Sequence, residues 1–394
     1  MLLSFKIKNF RSFKEEQEIS FVLSKDECID PERRFEVNTK NGKVRILKNA
    51  IIYGANASGK TNILLALKTL REIIMNPTSS DNEELLFDSF ASNKDNTRLE
   101  IKFLKENAIF EYRLEYNHKE VACEHLYKDD TMVFERNYQE FVFPDLDKAI
   151  ENLLKTVRKT SLLLFFAQNH NIEVAKKAFS WFFVASSPPI SLLKTNKCFK
   201  EKVLYALQFA DFNILDIEVD ERVNHNFDGF IFNLTGENVP RKTLEVYFTH
   251  ENKGEKFRIS LQAESQGTRE YFNTILLLLN PDMDYGSYVC IDEIDCSLHK
   301  QLTISLVRLL NSEKNHIQCI ATSHDSSLMD LLKPHQVYFV EKDVEGESEI
   351  FKLSDFDDIH SDEKQASNYE EGFFWADQII NEAGLMSILG GYDE

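Results

Sequence analysis

Apolar and polar positions change rhythm twice within the first eighty residues. Leu2-Leu3-Ser4-Phe5-Lys6-Ile7-Lys8-Asn9-Phe10 alternates with period two, as a half-buried strand does, and a second strand is expected near Glu18 to Leu23. Ala50-Ile51-Ile52-Tyr53 is instead a short continuous apolar run between Asn49 and Gly54, which predicts a strand buried on both faces of a partly parallel sheet. After Gly54-Ala55-Asn56-Ala57-Ser58-Gly59-Lys60-Thr61 the rhythm turns helical, with apolar residues at Ile63, Leu64, Leu67, Leu70, Ile73 and Ile74.

The stretch Arg98 to Phe143 is rich in strand signals. Asp147 to Asn213 shows irregular helical patches without sustained heptads, which excludes long coiled-coil arms. Phe165, Phe166, Phe179, Trp181, Phe182 and Phe183 crowd this second stretch and read as core before they read as a docking face, and Ser186-Ser187-Pro188-Pro189 breaks the chain after them. A helix carrying Tyr271, Phe272, Ile275, Leu276 and Leu279 follows Arg269. Apolar runs at Tyr288 to Ile291, Ile317 to Ala321, Gln336 to Val340 and Glu349 to Leu353 predict further strands.

With 394 residues and 43% apolar content the chain can fill a large core. Its longest apolar stretch, Leu162 to Ala167, falls far short of the ~20 residues of a membrane span. The start lacks the continuous apolar region of a secretory signal. Cys28, Cys123, Cys198, Cys290, Cys296 and Cys319 are scattered without zinc spacing, so a reduced, cytoplasmic protein with no membrane partner is the expectation. A net charge of −19 repels nucleic acid at long range and leaves only a local basic groove as a route to it.

Strand, glycine loop and helix in that order point to a nucleotide triphosphate. Such a ligand needs inward backbone N–H groups, a helix N-terminus and a lysine. Gly54 and Gly59 allow the tight path; Asn56, Ala57, Ser58, Gly59, Lys60, Thr61 and Asn62 are the expected nucleotide-binding residues, with Lys60 on the outer phosphates and the Thr61 hydroxyl on Mg²⁺. The run Tyr288 to Ile291 ends in Asp292, a second expected metal ligand, and Glu293, placed to accept the proton of an attacking water. His324 closes another strand, where it can bond a γ-phosphate; a structural histidine is the plainer reading of that residue alone. Ser265 and Gly267 stand at a helix start, where phosphate contact and simple capping are both open.

Taken together, Asn9-Phe10-Arg11-Ser12-Phe13, the loop Gly54 to Thr61, Ser265-Gln266-Gly267-Thr268, Val289 to Glu293, Asp295-Cys296-Ser297-Leu298-His299 and Ser323-His324 resemble the ABC-type ATPase heads of the SMC, RecF and OLD group. With Thr97 to Tyr116 and Phe134-Glu135-Arg136, the pattern looks most like stand-alone bacterial ATPases of abortive-infection and other anti-phage systems, such as RloA-type proteins and the Septu and PARIS ATPase subunits. The resemblance implies an α/β fold, an ABC-type P-loop head with a mixed core sheet, an antiparallel β side sheet and a helical insertion. It also implies ATP and Mg²⁺ as cofactors, Glu293 and His324 as catalytic residues, and Arg11 at the nucleotide. Ser265, Gln266, Gly267 and Thr268 would complete a partner's site in a homodimer or higher homo-oligomer. The signature reads Ser-Gln-Gly-Thr rather than Ser-Gly-Gly-Gln, and Lys300 replaces a proline common in relatives, so slow or partner-dependent hydrolysis is expected.

The expected division is residues 1–146 as an ATPase lobe with the phosphate loop and the antiparallel sheet, 147–235 as the helical insertion, and 236–394 as the lobe with the signature, Walker B strand and histidine. After His324 too little chain remains for an OLD-type nuclease, and the acidic stretch Asp355, Asp357, Asp358, Asp362 and Glu363 reads as solvated rather than metal-binding. Three functions stay open: a defence-system ATPase controlling an effector supplied in trans, a nuclease or toxin; a RecF-like repair ATPase binding DNA; and a nucleotide-bound interaction module.

Overall fold

The computed structural model describes residues 1–356 and 365–370, except 25, 26, 28, 81, 184–188, 211, 225–230, 233–237 and 240. Cys28, the break at Ser186 to Pro188, and Asp357, Asp358, Asp362 and Glu363 lie outside the described residues.

At the centre is a five-stranded sheet in the order Tyr288–Ile291, Gln318–Thr322, Asn49–Tyr53, Val337–Lys342 and Ser348–Lys352. The first four run parallel and the last returns antiparallel. Asn49–Tyr53 is buried at every residue. Its odd and even side chains enter different cores: Ala50 and Ile52 meet the helix Lys60–Met75, whereas Ile51 and Tyr53 meet Val307, Leu310, Leu328 and Met329 on the other face. Burial on both faces is why this strand shows no polar alternation in sequence.

Against the first face lies a seven-stranded antiparallel sheet, ordered Glu140–Val142, Thr131–Asn137, Val121–Lys128, Ala108–Tyr116, Thr97–Lys105, Leu2–Lys8 and Gln17–Ser20. The expected strand from Glu18 to Leu23 is split at Phe21, whose N–H still donates to Leu3 O while its carbonyl accepts from Leu47 N, so that Val22–Leu23 pairs with a different sheet. Gln318 ties the two sheets together. Its carboxamide accepts from Leu2 N (2.8 Å) and donates to Leu2 O (3.0 Å) and Leu47 O (3.1 Å), so a buried polar side chain fixes the relative register. The mixed core sheet and the antiparallel side sheet are those of the α/β fold that the resemblance implied.

The helices of the insertion lie between Lys148 and Phe209. After them Asp216–Asn224, Arg241–Asn252 and Glu255–Ser260 form an antiparallel sheet. Helical character expected as far as residue 235 therefore stops at Phe209 among the described residues. The reason is that Ile217 and Val219 alternate with charged residues and pack with Val246 and Phe248 against the helices Lys197–Phe209 and Gln266–Leu278. The aromatic cluster is largely core: Phe179, Trp181 and Phe182 are buried, and Phe183 is 62% exposed. Trp181 stacks on Tyr288 of the acidic strand at 5.0 Å and on Phe103 at 4.4 Å, joining insertion, side sheet and core sheet. Among the described residues no helix is long and apolar enough to cross a membrane.

A buried ion pair docks the insertion. Glu124, wholly buried, accepts from Leu163 N (2.6 Å) and Leu164 N (2.7 Å) at the start of the helix Leu163–Asn169, and from the Tyr112 hydroxyl (2.9 Å). Arg136, also wholly buried, lies 3.8 Å from Glu124 and donates to Tyr138 O, Ser161 O, Arg158 O and Lys159 O. Burial raises the Glu124 carboxyl above its ordinary range, while Arg136 and the two backbone donors oppose that shift. Removing one partner strands the other charge away from water. Arg136→Met is therefore expected to lose about 3–5 kcal/mol in urea denaturation. Adding Glu124→Gln, which keeps an acceptor but carries no charge, should recover part of that loss; equal stability of the single and double variants would contradict this account.

Candidate functional site

Three parallel strands end at one edge of the core sheet. Ile291 lies opposite Ala321, and Thr322 opposite Ile52, so the segments after Ile291, Thr322 and Tyr53 emerge side by side. The phosphate loop leaves the central strand with φ of +148° at Gly54 and re-enters a helix with φ of +113° at Gly59. Both positions need glycine for space as well. A Cβ at Gly54 would stand 2.2 Å from Val340 O, and one at Gly59 would stand 2.6 Å from Ser12 Oγ and 2.7 Å from Ser348 Oγ.

The loop is clamped from behind. Asn62 Nδ2 donates to Ser12 Oγ (2.8 Å), the Ser348 hydroxyl donates to Ser58 O, and Ser348 N donates to Ser12 O (2.7 Å). Asn56 and Ala57 are exposed at the tip, while Ser58 is buried with a hydroxyl that has no partner among the described residues. The Lys60 ammonium, buried, donates to Gly54 O (2.8 Å) and Ala55 O (2.9 Å) and so lies across the mouth of the loop. Burial pulls its pKa below the usual lysine value, and Glu293, Asp292 and Asp295 act in the opposite sense.

Thr61 Oγ1 donates to Asp292 Oδ1 across 3.1 Å, which brings the two expected metal ligands together. Glu293 follows with φ of +51° and an exposed side chain. The His324 N–H points at the Asp295 carboxylate, 3.2 and 3.3 Å from its two oxygens, and the His324 side chain is exposed. Asp295 thus links the segment after the acidic strand to the turn after the histidine strand. Arg11, one residue before the Ser12 that clamps the loop, pairs through its guanidinium with Asp88 at 2.6 Å and lies 5.9 Å from the Phe10 ring.

The signature-like segment opens the helix Gln266–Leu278. Ser265 is its N-cap, accepting from Thr268 N (3.1 Å), with the two hydroxyls 2.7 Å apart. Capping accounts for Ser265 within the chain and leaves Gln266 and Gly267 to a different contact. Gln266 Nε2 lies 3.5 Å from Cys296 Sγ, and a Cβ on Gly267 would stand 2.4 Å from Ser297 O. The helix start is thereby pressed against the loop that follows Glu293. Sequence reasoning missed this contact, and it also missed Thr322, whose hydroxyl lies between Asp292 and the backbone of Glu293. The available signal for Thr322 was a lone hydroxyl closing an apolar strand just before Ser323-His324. Gly267→Ala is expected to cost about 1–3 kcal/mol through overpacking, read as a lower denaturation midpoint; an unchanged midpoint would mean the Ser297 loop yields freely.

Comparison with solved structures finds low-similarity likenesses to SMC heads. The SMC head domain from Thermotoga maritima is 15% identical, with 89% of this chain and 98% of that chain covered and a TM-score of 0.42. An Smc head domain with an extended coiled coil bound to the C-terminal domain of ScpA, derived from Pyrococcus furiosus, is 11% identical over 90% and 97%, with a TM-score of 0.44. An SmcHead bound to the C-winged helix domain of ScpA is 14% identical over 89% and 96%, with a TM-score of 0.41. No curated protein matches the chain. A family model described as "AAA domain, putative AbiEii toxin, Type IV TA system" matches residues 50–330, from the phosphate-loop strand through the histidine turn. The chain is a P-loop ATPase, and it belongs to that AAA-domain family.

Proposed function

We propose that this protein is an ATP-hydrolysing sensor or scaffold of a bacterial anti-phage, abortive-infection type defence system, in which ATP-dependent dimerisation controls an effector supplied in trans. The observation that carries the catalytic part is the convergence of Lys60, Thr61, Asp292 and Glu293 at one sheet edge, with Thr61 and Asp292 in contact at 3.1 Å. The family description, which names a putative toxin of a type IV toxin–antitoxin system, supports the defence setting.

A hydroxyl and a carboxylate in contact suit magnesium, which takes hard oxygen donors. Thr61 and Asp292 would hold the ion, and when bound it neutralises charge on the phosphates. Lys60 binds the outer phosphates, helped by the N–H groups at the loop and helix start. Glu293 orients an attacking water and accepts its proton, and His324 bonds the γ-phosphate. Ser265 to Thr268 complete the site of a second copy. An ATP-loaded pair is then the signalling species, and its assembly is what the effector reads.

DNA binding by a RecF-like head is the weaker alternative. On the outer face of the seven-stranded sheet Lys6 and Arg113 pair with Glu100, Arg98 with Glu115 and Lys102 with Glu111, which reduces the positive field available to a phosphate backbone.

Turnover and assembly state are measured together for the wild type, Lys60→Ala and Glu293→Gln. The wild type should hydrolyse ATP; Lys60→Ala should neither bind nor turn over. Glu293→Gln should lose about 100-fold or more in rate while accumulating an ATP-bound dimer by light scattering. Undiminished turnover in Glu293→Gln would remove that residue from its catalytic role, and a monomer at saturating ATP would remove dimerisation from the mechanism.

A further inference from the structure

The acidic strand stops at Ile291, and the next three residues are held from the neighbouring strand by a single residue. Thr322, fully buried at the end of Gln318–Thr322, donates its hydroxyl hydrogen to Asp292 Oδ1 at 2.6 Å. The Thr322 hydroxyl oxygen accepts the Glu293 N–H at 2.7 Å, and the Thr322 carbonyl accepts the Ile294 N–H at 3.0 Å. The hydroxyl's one hydrogen goes to the carboxylate and one of its lone pairs goes to the amide, so its orientation is fixed.

These bonds act on a strained turn. Glu293 has φ of +51°, a region that costs a residue with a Cβ about 1–2 kcal/mol. Asp292 is exposed, and its Oδ1 already receives Thr61 at 3.1 Å and Thr322 at 2.6 Å, which fixes the carboxylate's rotation about its own axis and leaves Oδ2 as the oxygen turned to other partners. A single buried hydroxyl therefore sets the metal carboxylate and the backbone of the residue beside it.

We propose that Thr322 is a positioning residue for hydrolysis: its side chain aims Asp292 at magnesium and holds Glu293 in the left-handed turn from which it meets the attacking water. This rests on the assignment of Glu293 and Asp292 above. Its requirement is for a hydroxyl at this place, not merely for a side chain of that volume. Valine matches the shape but leaves the Glu293 N–H and Asp292 Oδ1 without their partner, whereas serine keeps both bonds and lacks only a methyl group.

Wild type, Thr322→Val and Thr322→Ser are compared for ATP turnover and, separately, for the Mg²⁺ concentration that half-saturates binding of a fluorescent ATP analogue. Loss of one hydrogen bond to a charged group predicts that Thr322→Val lowers kcat about 10- to 100-fold with little change in KM for ATP. The same variant should raise the Mg²⁺ requirement several-fold, and Thr322→Ser should restore both within about threefold. In a Glu293→Gln background Thr322→Val should cause no further fall in kcat yet still raise the Mg²⁺ requirement. Wild-type kcat and Mg²⁺ response in Thr322→Val, or an equal loss in Thr322→Val and Thr322→Ser, would overturn the proposal. If Thr322→Val does not fold, Thr322→Cys, a weak donor of similar size, is judged by the same criteria. Failure of the wild type to hydrolyse ATP would count against the Glu293 assignment alone, since the Mg²⁺ titration reads Thr322 without turnover.

Discussion

The chemistry of this chain depends on the parallel alignment of three short strands. Tyr288–Ile291, Gln318–Thr322 and Asn49–Tyr53 run in one direction, and their ladder sets Ile291 beside Ala321 and Thr322 beside Ile52. Lysine, acid and histidine come from segments far apart in sequence, yet the acids and the histidine stand within two residues of a strand end and the lysine closes the loop that leaves the third strand, all at the same edge. A slip of one residue in the first pairing would turn Thr322 away from Asp292, and a slip in either would move the Thr61 hydroxyl off the same carboxylate. Polar side chains at the opposite end of the sheet hold that register: Asn49, Asn311 and Gln336 bond one another in the interior, and Gln318 reaches Leu2 and Leu47.

How far the site could be read from sequence follows from the range of the interactions. The phosphate loop was legible because its logic is local: an apolar run, two glycines with positive φ, a lysine and a helix lie within about two dozen residues. Asp292 and Glu293 were legible for a similar reason, as acids terminating an apolar strand. Thr322 was not, since its role exists only once two strands thirty residues apart are paired and Glu293 has adopted a left-handed turn. Arg136 is a harder case: nothing in Phe134-Glu135-Arg136 distinguishes a surface arginine from one that is wholly buried and bonded to four carbonyls. The sheet from Asp216 to Ser260 escaped notice because charged residues occupy its outward positions so densely that the inward Ile217, Val219, Val246 and Phe248 scarcely stand out.

Two of the devices that bind the insertion to the head differ in kind. The Glu124–Arg136 pair acts through directed bonds to the chain at Arg158 to Leu164, which specify where the first helices sit. Trp181 acts through area, lying between Phe103 and Tyr288 in stacks of 4.4 and 5.0 Å. Tyr288 begins the strand that delivers Asp292, so the insertion's main aromatic contact supports the acidic strand directly. Gly267 adds a second route on the far side, where the signature helix meets Ser297 without room for a methyl group.

The central ladder, in which Asn49 pairs with Cys319, also sets an order of events during synthesis. When the ribosome has released only the first half of the chain, the side sheet from Leu2 to Val142 has all of its strands, and the insertion helices can already close over Phe103. Asn49–Tyr53, by contrast, has neither of its neighbours and must wait with both edges open. The nucleotide pocket is thus assembled only once Tyr288–Ile291 and Gln318–Thr322 have emerged, and a chain interrupted before Gln318 carries a phosphate loop whose strand has no neighbour in the core sheet.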